Sequence, residues 1–297
     1  MARTNTPAAD ALLDVELPCL DKGFIRLVDY MGGDARVVQS ARVAYGAGTK
    51  TVREDMGLIN YLLENAHTSP FEQVVLTFHM KLPIFIARQI VRHRTARLNE
   101  ISGRYSIMKD EFYVPNVERV QKQSAANKQG SGEAFPEAEA QHHIDTMVGE
   151  QALLYSTYQG FVSEETDMAR ELARINLPLS LYTEWYWQID LHNLLHFLRL
   201  RLDWHAQYEV RVYAEALAKC AEAVAPMCYA AFTEHVKDAV KLSATEARWV
   251  RQLLNSSVLN DPAGHETQAD ILDTFASVEG AGSKEVKKLF TKLGIQK

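Results

Sequence analysis

Residues 88–105, Arg88-Gln-Ile-Val-Arg92-His93-Arg94-Thr-Ala-Arg97-Leu-Asn99-Glu100-Ile-Ser102-Gly103-Arg104-Tyr105, gather five arginines, a histidine, a glutamate and a serine directly after an apolar run. Guanidinium groups at that density call for an anion. On a helix over 84–95, at about 100° per residue, Ile86, Ala87, Ile90 and Val91 share one side, and Arg88, Gln89, Arg92 and His93 the other. The small polar stretch from Asn99 to Arg104 has the turn-forming character whose backbone N–H groups and hydroxyl cradle phosphate, with arginine adding bidentate bonds. A solvated charged face with Glu100 neutralising one arginine competes with that reading. So does an RNA-binding patch, although Tyr105 is the cluster's one aromatic and the chain supplies no further basic stripe.

A second constellation lies far along the chain. Leu194, Leu195, Phe197, Leu198 and Leu202 define an apolar helical arc, and Arg201 and His205 fall inside it. A guanidinium on a buried face costs several kcal/mol unless an anion meets it, so Arg201 needs an internal carboxylate such as Asp203 or a bound ligand. Arg174, ahead of Ile175 to Leu179, is another arginine beside core-like sequence. His192 and His196, four apart, could ligate a metal, but the helix lacks the glutamate of the zincin pattern and a third ligand, so no metal is expected.

The chain as a whole restricts the anion. Its 297 residues are 47% hydrophobic with a net charge of -6, so the basic site is local on an acidic protein. That suits a phosphate-bearing small molecule better than nucleic acid. No stretch approaches the roughly 18 uncharged apolar residues of a membrane span, and the N-terminus has no signal-type apolar region, so a cytoplasmic location is expected. Cys19, Cys220 and Cys228 form no CxxC pair and suggest neither a disulfide framework nor a thiolate metal site.

The elements that must position these residues follow from periodicity. Phe24 to Met31 reads as a strand, Ala35 to Tyr45 as a short helix, and Met56 to Ala66 as a helix ended by His67-Thr68-Ser69-Pro70. Val74, Leu76, Phe78, Met80 and Leu82 alternate with Val75, Thr77, His79 and Lys81 as a half-buried strand, and Pro83 opens the helix of the basic cluster. Residues 117–142 read as a mobile polar insertion with little chemistry. Helices are expected over 145–163, 166–175 and as one segment from Asp190 to Ala225. A C-terminal appendage carries a capping box, Ser243-x-x-Glu246, and amphipathic patterns around 244–255, 268–278 and 283–293.

Arg92-His93-Arg94, seven residues and then Ser102, continued by Gly103-Arg104-Tyr105-Ser106, resembles the signature of the flavin-dependent thymidylate synthases. The resemblance extends to Asp21-Lys-Gly-Phe24, Leu27-Val-Asp29, Ala41-Arg42-Val43, His67 to Glu72, Pro83 to Gln89, Leu177 to Thr183 and Leu200 to Gln207, about residues 20–232. It implies an α+β fold with helices packed on a mixed sheet; a polar arm (1–19) precedes the matched span, and the helical extension (233–297) after it has no counterpart in compact members of the family. It further implies conversion of dUMP to thymidylate, with methylenetetrahydrofolate as carbon donor and NADPH as reductant through FAD, in a homotetramer with shared active sites. By the same resemblance Gln89, Ile90, Val91, Arg92, Glu100, Ile101, Ser102, Gly103, Arg104, Arg174 and Arg201 would bind the nucleotide. Ser69, Arg92, His93, Arg94, Glu100, Asp190, Leu191, His192 and His196 would contact the flavin, and His67 would gate the site. Arg201 is the expected catalytic residue, stabilising the uracil ring when its imide nitrogen is deprotonated. Ala44, Asp190 and His196 depart from residues that some members carry at the flavin. No enzyme nucleophile is expected: the cysteines lie in contexts that do not lower a thiol pKa, and Ser102 has no adjacent base in sequence.

Overall fold

The computed structural model describes residues 5–43, 52–125, 130–254, 289 and 291–293. The chain forms two compact units, residues 1–237 and 238–297. In the first, a single turn α1 (Pro7–Asp10), with proline at its start, leads to β1 (Glu16–Cys19) and β2 (Gly23–Met31). Helices α2 (Asp34–Arg42) and α3 (Val52–Glu64) follow, then β3 (Val75–Pro83), α4 (Ile84–Ile90) and β4 (Arg97–Glu100). A hairpin of β5 (Gln121–Gln123) and β6 (Ser131–Ala134) precedes the long α5 (Glu137–Phe161) and the single turn α6 (Arg170–Ala173). Strand β7 (Tyr182–Asp190) leads into α7 (Leu191–Arg201), α8 (Tyr208–Val224) and α9 (Pro226–Phe232).

The main sheet has the order β1-β2-β3-β7-β4, with every strand pair antiparallel. Among the described residues a lone parallel bridge joins Leu13 to Leu27. Alternation gives the sheet one apolar face, where Ile25, Leu27, Leu76, Phe78, Met80, Leu82, Trp185, Trp187 and Ile189 are buried. Helix α8 packs there with Val210, Tyr213, Ala214, Leu217 and Ala221. Gly23 permits the close approach: a Cβ there would strike the Tyr213 hydroxyl, which donates to the Lys81 carbonyl at 2.8 Å. The result is α+β, helices on a sheet. No described helix is long and apolar enough to cross a membrane.

Several local expectations change. Strands β1, β4 and β7 have no counterpart in the sequence reading, although Trp185, Trp187 and Ile189 alternate with Glu184, Tyr186 and Gln188 in period two. Helix α4 stops at Ile90 and not near 95, because the chain must turn for Arg97–Glu100 to pair with Trp185–Gln188. The single helix over 190–225 is broken at 202–207, where the Asp203 carboxylate accepts the His205 backbone N–H at 2.8 Å and offers the backbone an alternative to the helix. The segment 117–142 is largely built: Arg119 is anchored on Glu209, β5 pairs with β6, and α5 begins at Glu137. Helical structure near 166–175 shrinks to α6 and a 3₁₀ turn at Arg174–Asn176.

In the second unit α10 (Ala244–Leu254) begins with the expected capping box. Ser243 N–H donates to Glu246 Oε2 at 2.7 Å, and Glu246 N–H to Ser243 Oγ at 3.2 Å. Lys292, 2.6 Å from Glu246, holds that carboxyl down at about 2. The pattern at 268–278 lies outside the described residues, as does most of 283–293.

Candidate active site

Helix α4 releases Arg92-His93-Arg94 from its C-terminal end, where unpaired carbonyls favour cations. Facing them is α7, whose N-cap is Asp190: Oδ1 accepts the Asn193 backbone N–H at 2.9 Å, and both carboxylate oxygens accept from its side-chain amide. Asn193, His196 and Leu200, spaced three and four apart, form one stripe of α7 with Arg201 beside it. These residues, with Thr95 and Ile189, enclose a cavity of about 350 Å³ with Arg92, His93 and Arg94.

His93 is fixed inside it. Its ring meets Phe197 edge-on, centroids 4.8 Å apart, and its Nε2 accepts from Arg201 Nε at 3.2 Å. An acceptor at Nε2 puts the ring proton on Nδ1 and keeps the imidazole neutral. Burial first, then the charges of Arg201 and His196, lower its pKa from 6.5 to about 4. Burial, and next the neighbouring Arg92, also lower that of Arg201. Among the described residues no carboxylate pairs with Arg92, Arg94 or Arg201, and the carboxylate nearest in sequence, Asp203, is taken by His205 Nδ1 at 2.8 Å. The internal ion pair open to Arg201 on sequence alone is therefore not formed. His205 itself lies beyond the end of α7, exposed, and not within its apolar arc.

A second group forms around the turn after β4. Glu100 Oε1 accepts the buried Thr183 hydroxyl at 2.6 Å and pairs with no arginine among the described residues, and Ile101 N–H donates to the Glu184 carbonyl at 2.9 Å. Ser102 Oγ accepts the Arg104 N–H at 3.3 Å. Arg174 lies over the turn, since a Cβ on the buried Gly103 would stand 2.9 Å from its Cδ and 3.0 Å from Met108 Sδ. Arg104 meets Glu171 at 3.1 Å on the exposed surface. The hydroxyl of Tyr158 accepts the Met108 N–H, and that of Tyr155 donates to the Met108 carbonyl, so α5 holds the far side of the turn.

The thymidylate synthase complementing protein family matches residues 26–227, a span holding both groups. A flavin-dependent thymidylate synthase of Treponema denticola is 60% identical over 243 residues, 82% of this chain and 91% of that protein. The chain belongs to the flavin-dependent thymidylate synthase family. A member from Gluconobacter oxydans is 45% identical over 281 residues, 94% of this chain and 93% of its own, so likeness reaches past residue 237. Among solved structures, a UMP/dUMP methylase, PolB from Streptomyces cacaoi bound with 5-Br dUMP, aligns at a TM-score of 0.67 and 28% identity, over 74% of this chain and 99% of that one.

In this member of the flavin-dependent thymidylate synthase family the cavity unites Arg92, His93, Arg94, His196 and Arg201, while Glu100 to Arg104 and Arg174 make up the turn group. Gln89 bonds Gln207 at 2.6 Å. The side chains of Ile90 and Leu191 are spent on the core, and the Leu191 N–H donates to the Val74 carbonyl at 2.8 Å. Val91 packs partly against that core, and His192 sits half-buried in the first turn of α7. His67 and Ser69 are exposed after α3, the His67 ring edge-on to Tyr61 at 5.7 Å. Ala44 lies outside the described residues. Burial pushes the thiols of Cys19 and Cys220 up to about 12 and that of Cys228 up as well, which leaves no thiolate among them near neutral pH. Thr95, Ile189, Asn193, Leu200 and Thr183 are absent from the sequence-derived set. The i, i+3, i+7 stripe of Asn193, His196 and Leu200 was the available signal for two of them.

Proposed function

We propose that the protein converts dUMP to dTMP, taking a one-carbon unit from methylenetetrahydrofolate and reducing equivalents from NADPH through bound FAD. The observation that carries the reading is Arg201: a half-buried guanidinium in a cationic cavity, bonded to a neutral histidine and paired with no carboxylate among the described residues. Such a group stabilises negative charge that develops on a bound ring, here uracil losing its imide proton. Arg104 and Arg174, beside the Ser102–Gly103 turn, receive the phosphate, and on nucleotide binding Arg104 exchanges Glu171 for it. The donors of Arg92, Arg94, Asn193 and His196, set against apolar Ile189 and Leu200, fit a flavin with anionic and carbonyl oxygens and a flat ring. When bound, the flavin supplies hydride transfer and carriage of the one-carbon unit.

The cavity stands at the lower end of the roughly 300–1,000 Å³ of small-molecule sites, so a dinucleotide needs walls beyond those of one chain. This favours sites shared between chains, as in the homotetramer that the family resemblance implies. Buried, protonated thiols and a Ser102 hydroxyl that accepts from its own turn favour a reaction without an enzyme nucleophile. The rival, a non-catalytic nucleotide- or RNA-binding protein, has no support in the relatives. Purified protein is expected to be yellow or to take up FAD, and to form dTMP from dUMP, methylenetetrahydrofolate and NADPH. A colourless protein that neither takes up FAD nor oxidises NADPH in the presence of dUMP would refute the proposal.

A further inference from the structure

A second cavity, of about 790 Å³, shares no lining residue with the one around Arg201. Its walls come from the break between α7 and α8, with Trp204, His205, Tyr208 and Arg211, and from the segment that carries Arg119 and Ser131. The volume is well within the roughly 300–1,000 Å³ of small-molecule sites. None of these residues belongs to the two groups described above.

Two guanidiniums share one aromatic ring there. Arg119 lies 4.6 Å from the Tyr208 ring centroid and Arg211 5.8 Å from it. Each is held by a single bond. Arg119 donates through Nε to the buried Glu209 at 3.2 Å, and Arg211 through Nη1 to the Trp204 carbonyl at 3.3 Å. Among the described residues, both terminal nitrogens of Arg119 and Nη2 of Arg211 find no hydrogen-bond partner. The side chains are only 23% and 29% exposed, so these donors are already fixed in place. The neighbouring carboxylates leave them open: Glu209 is spent on Tyr113, Gln207 and Arg119 Nε, and Glu215 stands 4.0 Å from Arg211 Nε. A phosphomonoester, doubly charged and with three accepting oxygens, matches two such guanidiniums better than a single carboxylate does.

Beside them lies a flat platform. Trp204 is 74% exposed, its ring centroid 3.5 Å from that of His205, and Asp203 holds His205 through Nδ1 at 2.8 Å. An indole so braced and so exposed offers a stacking face to a heteroaromatic base.

We infer that this cavity binds a purine nucleotide bearing a phosphomonoester, with the base on Trp204 and the phosphate on Arg119 and Arg211. Under the dTMP-forming reading above, on which the identity of the ligand rests, that nucleotide is the adenosine 2′-phosphate end of NADPH. Trp204 follows Arg201 by three residues, which keeps their Cα atoms within about 11 Å. A dinucleotide anchored here therefore has its other end within reach of the Arg201 cavity, and NADH, which lacks the monoester, is held less well.

The test measures calorimetric binding of 2′,5′-ADP and 5′-AMP to the FAD-loaded protein, with NADPH and NADH kinetics beside it. The parent is expected to bind 2′,5′-ADP at least about tenfold more tightly, the gain from a charge-assisted hydrogen bond. Arg119→Lys, which keeps a cation beside Glu209, and Arg211→Leu are expected to reduce that ratio about threefold or more and to narrow the KM gap between NADPH and NADH. Trp204→Ala is expected to weaken both ligands about fivefold or more and to leave their ratio unchanged. Affinity for dUMP is expected to stay that of the parent in all three variants, which a merely structural effect would not spare. A parent without preference for 2′,5′-ADP, or a preference that survives in folded Arg119→Lys and Arg211→Leu protein, overturns the site. So does a rise in KM for a polyglutamylated methylenetetrahydrofolate in place of NADPH, which would give the cavity to the folate tail. Protein that binds 2′,5′-ADP as expected but makes no dTMP supports the site and overturns its assignment to NADPH.

Discussion

Arg201 and His93 form a pair in which each explains the other. The guanidinium donates through Nε, which requires an unprotonated imidazole nitrogen, and the imidazole stays neutral because it is buried beside that cation. The outer nitrogens of Arg201 are left for an anion. Arg201→Ala is expected to reduce turnover about 10²- to 10³-fold, the cost of removing one preorganised donor to developing charge, with FAD still bound; unchanged turnover in a dTMP assay would remove the role. The folded pKa of His93 lies below its ordinary 6.5, so the unfolded chain takes up the proton first as acid is added. Its contribution to stability is full above 6.5 and drains as pH falls toward about 4. Urea unfolding at pH 7 and pH 5 is expected to show a smaller acid loss in His93→Gln than in the parent, and equal losses would contradict the burial argument. The chemical types at this scale were legible: a guanidinium on an apolar arc announced an unmet charge. Its actual partner was not, because His93 lies 108 positions away and meets it only through the fold.

The elements decide which of those residues meet. Gln89, Arg92 and His93 share a helix face on paper, but α4 ends before the arginine because β4 has to form, so the triplet projects from a helix end and not from a stripe. The alternation of β3 and the cap of α10 were plain in sequence, whereas β4, four exposed residues at a sheet edge, has no apolar signature and exists by pairing with β7. That pairing brings Glu100 within reach of Thr183. Thr183→Val keeps the side-chain volume but removes the donor at 2.6 Å, and is expected to cost about 1 kcal/mol in stability and to raise KM for dUMP through a loosened Glu100. A melting curve and a kinetic assay measure both; an unaltered KM would dissociate Thr183 from the site. Gly103→Ala acts on the other side of the turn. Its Cβ would press on the flexible ends of Arg174 and Met108, which can yield, so the protein is expected to fold and to bind dUMP more weakly as Arg174 is displaced. Parent-like affinity would mean that Arg174 does not need that seat.

At the scale of the molecule, a net charge of -6 surrounds a cavity whose nearest ionised groups are arginines. An acidic exterior disfavours long polyanions, while the local cations hold a small one, which is how one chain can select a mononucleotide over RNA. The family match ends at residue 227, and the first unit closes at Lys237 with the sheet, α8 and α9 complete. The second unit satisfies its own helix start through Ser243 and Glu246 and its own charge through Lys292. Neither group of proposed site residues includes a position beyond 201. A chain ended at Lys237 is therefore expected to fold, to melt within about 2–4 °C of the full protein, equivalent to about 1 kcal/mol, and to retain FAD. Calorimetry and the flavin absorbance spectrum test this directly: a truncated chain that aggregates or loses its flavin would show that the C-terminal unit supports the site, for which the likeness to the Gluconobacter oxydans protein beyond residue 237 would then supply the reason.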